Sequence, residues 1–120
     1  MRDFRYLDVW HKAHAFTLNV YRISETFPKT ETFGLAATLR RGAAHLTMKI
    51  AEGCGRDEHA EYIHALQQAR AMGVEIEYQL LLARDLQFLE PATYDSLQHD
   101  VIEVRKMLSG VIKTPQRVSA

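Results

Sequence analysis

The chain lacks several features that mark particular classes of protein. It has one cysteine, Cys54, which cannot form an internal disulfide, and this favours a reducing compartment. Its first residues contain no apolar core of the kind that a secretory signal needs. No apolar run approaches the ~20 residues of a membrane-spanning helix. We therefore expect a cytoplasmic protein with no membrane attachment.

Neither sign of charge dominates. Fifteen Lys and Arg balance fifteen Asp and Glu, which gives a formal net charge of zero. The chain thus lacks the strongly basic character of proteins that coat bulk DNA or RNA. Hydrophobic residues make up 47% and charged residues 25%, the proportions of a folded soluble domain. A length of 120 residues predicts one domain that spans residues 1–120.

Apolar residues recur at steps of three and four, which is the period of an α-helix. Glycine and proline divide this pattern into four segments. We predict helices over about residues 7–27, 32–52, 58–87 and 91–113, with a polar tail at 114–120. Four helices with short connections predict an all-α fold, an antiparallel up-down-up-down four-helix bundle.

Particular residues predict where the helices begin and end. Pro28 disfavours helical geometry in the residue before it and so ends the first helix. Gly53 offers the left-handed conformation that commonly ends a helix, here the second. Asp57 is a good N-cap for the third helix, and Pro91 suits the first position of the fourth.

The helices carry more apolar residues than one bundle core can cover. Successive helical residues point ~100° apart, so Leu80, Leu81 and Leu82 spread over a wide arc. Val111 and Ile112 raise the same difficulty in the last helix. Single surface leucines are normal, but an excess shared among several helices favours self-association.

Two residue pairs could carry metal chemistry. Glu61 and His64 form a Glu-x-x-His step, the unit that di-iron carboxylate bundles use. The sequence has one copy of this step where such a site needs two, which favours a solvated pair. His11 and His14 lack a carboxylate or cysteine between them, so they too predict a solvated pair. We expect no metal site, and a metal-dependent, ferritin-like oxidase using Glu61 and His64 is kept as the alternative.

Basic residues gather on the second helix. Arg40, Arg41 and Lys49 share that helix with a single acid, Glu52, and Arg56 follows it. In a symmetric ring, such a group would repeat around the axis and could hold phosphate backbones without reading a base sequence. We therefore take Arg40, Arg41, Lys49 and Arg56 as candidate nucleic-acid or anion-binding residues. No phosphate-loop or dinucleotide fingerprint is present, so neither a cofactor nor catalytic residues are predicted.

Several segments together resemble the four-helix-bundle family of 23S rRNA-intervening sequence proteins. The most specific is Ile-Ala-Glu-Gly-Cys-Gly-Arg at residues 50–56. The others are residues 4–10, the Phe-Pro-Lys at 27–29, the Leu-Arg-Arg at 39–41, the Glu-Ile-Glu at 75–77 and residues 79–86. The likeness covers about residues 4–113.

The resemblance implies a homopentameric barrel of four-helix bundles with no enzymatic activity. The accessory subunits of diversity-generating retroelements are similar bundles, which makes RNA, DNA or a reverse-transcriptase-like protein the implied partner. Residue by residue, the motif implicates Arg40, Arg41, Glu52, Gly53, Gly55 and Arg56. The glycine block is equally consistent with a conformationally demanding hairpin. Three hypotheses stay open: a scaffold or adaptor with a repeated basic face, the oxidase, and a purely structural protein assembly.

Overall fold

A computed structural model describes residues 2–115, which form four α-helices and no strand. The helices span Asp8–Ser24 (α1), Leu35–Cys54 (α2), His59–Asp85 (α3) and Pro91–Lys113 (α4). Short 3-10 helices at Phe4–Tyr6 and Lys29–Glu31 precede α1 and α2. The all-α prediction is confirmed, while most of the predicted tail at 114–120 lies outside the described residues.

Each helix packs against its two neighbours in a closed circuit. The helix pairs in contact are α1–α2, α2–α3, α3–α4 and α1–α4. With short connections between successive helices, this pattern is that of an antiparallel up-down-up-down bundle. The bundle is elongated, with principal extents of 56 × 23 × 20 Å. Within residues 2–115, no helix combines the length and apolar character needed to cross a membrane.

The core consists mainly of aliphatic side chains at the predicted helical spacing, with a few aromatic rings such as Phe16 and Tyr62. All four helices contribute fully buried residues, such as Val20, Leu39, Leu80 and Leu108. Burying one such side chain stabilises the fold by about 1.5–3 kcal/mol. Ser24 and Thr47 are buried polar residues, and their hydroxyls donate to the backbone carbonyls of Tyr21 at 3.2 Å and Ala43 at 3.0 Å.

The run of three leucines on α3 is less exposed than its angular spread predicts. Leu80 is fully buried, and Leu82 packs partly buried against the core. Leu81 alone stays half-buried outside the core cluster. On α4, Val111 and Ile112 both pack against the core as well. The apolar excess lies at other positions, which are described below.

Gly53 lies inside α2 and not beyond its end. No glycine in residues 2–115 adopts a positive φ, so the predicted left-handed helix end at Gly53 is wrong. A Cβ atom added at Gly53 would lie 2.8 Å from the Cβ of Ala65 on α3. Glycine is needed here because α2 and α3 approach each other closely, and not for its backbone freedom.

Other helix ends also differ from the predictions. α1 ends at Ser24, earlier than Pro28 requires, because the backbone turns at Glu25 and Thr26. Glu58 and not Asp57 is the N-cap of α3, and no side-chain hydrogen bond caps this helix. The turn into α4 uses Gln87 at a φ of 64°, a conformation that a non-glycine residue rarely adopts. Pro91 begins α4 as predicted.

Candidate functional site

A polar groove lies where the end of α2 meets the start of α3, and we call it the α2–α3 groove. Its volume is about 340 Å³. It brings together predicted anion-binding residues and the residues of the oxidase alternative, which are Lys49, Glu52, Arg56, Glu61 and His64. That these two sets share one surface could not be predicted from the sequence, because it is the α2–α3 turn that folds one set onto the other.

Glu52 neutralises both cations of this groove. Its carboxylate lies 3.5 Å from the Lys49 ammonium and also accepts a hydrogen bond of 2.7 Å from the Arg56 Nε. The hydrogen bond from Arg56 holds the pKa of Glu52 below its ordinary value. The same bond raises the pKa of Arg56. The family-motif turn is therefore closed by its own ion pairs on the protein surface.

The four predicted anion-binding residues do not lie on one face. Arg40 turns towards α1, where its guanidinium donates to the Ser24 hydroxyl at 2.7 Å and to the Tyr21 carbonyl at 3.2 Å. Arg41 is exposed and pairs with no other described residue. Residues 40 and 49 are nine apart, and nine steps of ~100° place them on opposite sides of a helix. The basic group that the sequence predicts is thus divided among three surfaces.

Glu61 and His64 line the α2–α3 groove as exposed side chains. Within residues 2–115, no group of three or more His, Cys, Asp or Glu side chains is placed to hold a metal ion. His11 and His14 do not form a pair, because His11 bonds to the carbonyl of Arg5 and His14 stacks on Trp10. The oxidase alternative is therefore not favoured.

The N-terminal segment packs against the end of α2 at the family-motif turn. The backbone N–H of Arg2 donates to the Cys54 carbonyl at 3.1 Å, and the Arg2 guanidinium lies 3.8 Å above the Tyr62 ring. Cys54 itself is 1% exposed, and burial raises the pKa of its thiol. A buried, protonated thiol is a poor nucleophile. Gly55 caps α2 with an ordinary φ of −83°.

Sequence reasoning missed a second basic groove, which lies on α4 and which we call the α4 groove. Its volume is about 430 Å³, and no acid is among the residues that line it. Those residues are Ile102, Arg105, Lys106, Ser109, Gly110 and Lys113. Lys106 and Lys113 are seven residues apart and so lie on one face of α4, a spacing from which this groove could have been predicted. Neighbouring α3 adds Arg70, whose guanidinium donates to the Ser109 hydroxyl at 3.2 Å.

Several apolar side chains stay exposed in residues 2–115, and among them are two groups that we name the α3 stripe and the α1–α2 groove. The α3 stripe consists of Ala71, Val74, Tyr78 and Leu81, with Val74 50% and Tyr78 61% exposed. The second surface, the α1–α2 groove, is a concavity of about 300 Å³. It is lined mainly by Phe4, Trp10, Ala44, Thr47, Met48 and Ala51, and Met48 is 59% exposed.

Comparison with known proteins agrees with this architecture. The fold is similar to the crystal structure of a protein of unknown function from the S23 ribosomal protein family of Bacteroides thetaiotaomicron, with a TM-score of 0.82. The two sequences are 23% identical, and the match covers 88% of this chain and 99% of that chain. No curated protein matches this chain significantly.

A family model described as 23S rRNA-intervening sequence protein matches residues 5–110. This range includes all of α1, α2 and α3 and most of α4. It also contains the block at residues 50–56 on which the resemblance chiefly rests. The chain therefore belongs to the 23S rRNA-intervening sequence protein family.

Proposed function

We propose that the protein is a non-enzymatic subunit of a homo-oligomeric scaffold. The observation that carries this proposal is the α3 stripe, where Val74 and Tyr78 stay at least half exposed near the middle of the longest helix. Contiguous exposed apolar residues of this kind mark interaction surfaces. Burying them against another copy would gain roughly 25 cal/mol for each Å² of apolar surface removed from water.

The family resemblance makes five the expected number of copies. Size-exclusion chromatography with light scattering tests the proposal directly, at several protein concentrations. We expect a mass several times that of the 13.8 kDa chain, stable on dilution. A species of 13.8 kDa at micromolar concentration would contradict it.

A second candidate function, binding of nucleic-acid backbones, is favoured by the α4 groove. Lys106 and Lys113 are exposed there, and no acid lines the groove beside them. Copies of this groove around an oligomer would form an array of cations suited to phosphates. The scaffold would then act as an adaptor for RNA or DNA, and co-purification would test a reverse-transcriptase-like protein as its partner.

The binding test uses a fluorescently labelled single-stranded RNA in an anisotropy titration at several salt concentrations. Electrostatic binding predicts retention at low salt and an affinity that falls steeply as salt rises, because counterions are released from the phosphates. The same titration with DNA distinguishes the two nucleic acids. Absence of binding at low salt, or binding that is indifferent to salt, would contradict this function.

A further inference from the structure

We propose that the α3 stripe of one copy packs into the α1–α2 groove of the next copy, so that the contact between subunits is head-to-tail. The inference rests on the proposed self-assembly and names the two surfaces that perform it. They are different surfaces and share no residue. A head-to-tail contact joins unlike surfaces, and it generates a ring when the rotation between copies closes.

The side chains of the two surfaces suit each other. Tyr78 and Val74 are exposed along α3 in a wide, mainly apolar depression, and Trp10 and Met48 line the mainly apolar groove between α1 and α2. A half-exposed tyrosine is a side chain that commonly anchors a protein interface. Methionine is flexible enough to adapt its shape to an entering aromatic ring. One surface therefore supplies an exposed aromatic side chain, and the other supplies a flexible side chain that can adjust to its neighbour.

The two surfaces also overlap along the length of the bundle. Gly42 of α2 lies beside Ile76 and Gln79 of α3. Because α2 runs antiparallel to α3, Met48 stands about 9 Å further towards the start of α3, at about the level of Ala71. Tyr78 lies at about the level of Gly42, so a neighbour rotated about an axis along the bundle would bring Ala71 and Val74 opposite the groove and Tyr78 opposite the end of the groove nearest Arg41. A contact of this kind closes into a ring when the rotation between copies closes.

The charges next to the two surfaces are opposite. Glu75 lies beside the α3 stripe, and Arg41 is exposed on α2 two turns from Met48. Neither forms an ion pair with another residue in the range 2–115, so each is available to a second copy. Opposite charges at the edges of an interface guide association and disfavour wrong pairings. The unpaired Arg41, predicted as a phosphate ligand, is thereby assigned to contact between subunits.

Two variants test the arrangement, each altering one surface. Met48→Glu places a charge in the groove and leaves the stripe intact, while Tyr78→Glu does the reverse. Leu86→Glu serves as the matched control, because Leu86 is also 50% exposed but belongs to neither surface. Each protein is analysed alone and in a 1:1 mixture by light scattering, and circular dichroism verifies folding.

We expect Met48→Glu and Tyr78→Glu to be monomeric alone and to form a heterodimer when mixed, since one intact stripe then meets one intact groove. The Leu86→Glu control should keep the wild-type mass. A mixture that stays monomeric, or variants that assemble like the wild type, would overturn the head-to-tail contact while self-assembly stands. A monomeric wild type would instead overturn the proposed function itself.

Discussion

The α2–α3 groove and the α4 groove both carry cations, but the contacts of those cations differ. In the first, Glu52 lies within ion-pair distance of both Lys49 and Arg56. In the second, Arg105 pairs with Glu77 of α3 at 2.7 Å, but no acid is among the lining residues beside Lys106 and Lys113. The number of basic residues on a helix is therefore a poor measure of available positive charge, because one carboxylate can neutralise two of them.

The glycines at the two grooves also differ, in whether their surroundings leave room for a side chain. Gly53, below the first groove, faces the Ala65 methyl group at a distance that leaves no room for a Cβ atom. Gly110, in the wall of the second, would place a Cβ in open space. One glycine is demanded by helix packing, whereas the other is a helix position where alanine would serve better.

The largest effect should come from adding a methyl group at Gly53, where α2 and α3 approach each other closely. We expect Gly53→Ala to lower the free energy of unfolding by about 1–3 kcal/mol, because the methyl group forces α2 away from α3. The control Gly110→Ala should raise that free energy by up to about 1 kcal/mol. Urea denaturation measures both. Equal midpoints for the two variants would show that the glycines are equivalent and that this contrast is wrong.

Removing charge from each groove tests which one offers free cations. We expect the double variant Lys106→Gln/Lys113→Gln to weaken RNA binding about tenfold at low salt and to reduce its salt dependence. The matched variant Lys49→Gln/Arg56→Gln removes the same charge but should change affinity much less, because Glu52 already satisfies those cations. Anisotropy titrations compare the two. Equal losses would place the anion-binding surface on both grooves.

Removing the Glu52 carboxylate should give the α2–α3 groove unpaired cations like those of the α4 groove. We expect Glu52→Gln to raise the affinity for RNA by roughly two- to threefold, since Lys49 and Arg56 are then free to contact phosphates. Glu25→Gln is the control, because Glu25 is exposed at the end of α1 and the change alters net charge equally. A similar gain in both variants would attribute the effect to net charge alone.

The smallest effect concerns the titration of Glu52. In the wild type, the hydrogen bond from Arg56 keeps the pKa of Glu52 below its ordinary value of 4.5, and Arg56→Ala should return it towards that value. The ion pair therefore adds stability at pH values above 4.5, and this contribution is lost as the pH falls through the lowered pKa. Side-chain NMR titration measures the shift. An unchanged pKa in Arg56→Ala would contradict the assigned cause.

Much of the fold could be predicted from the sequence because helical periodicity and the two proline signals are local. The four helices followed from apolar spacing, and Pro91 begins α4 as predicted. Gly53 was misinterpreted, because its role depends on Ala65, a residue twelve positions away on another helix. The left-handed Gln87 had no signal at all, since its residue type gives no reason to expect a positive φ.

The surfaces were harder to predict because they depend on which helices lie side by side. Arg40 looked available, but its guanidinium is used by Ser24 and the Tyr21 carbonyl of α1. At the α4 groove, Arg70 of α3 contacts Ser109 of α4, and the spacing of residues along a single helix cannot predict such a contact. Composition indicated a surplus of apolar side chains, and only packing showed which residues of the surplus stay exposed.

The burial of Cys54 gives the chain a built-in reporter. Its thiol is the only one present and is covered at the junction where Arg2 and Tyr62 meet the end of α2. A maleimide dye can therefore reach it only when that junction opens. The rate of labelling thus measures how often this end of the bundle breathes, with no substitution in the protein.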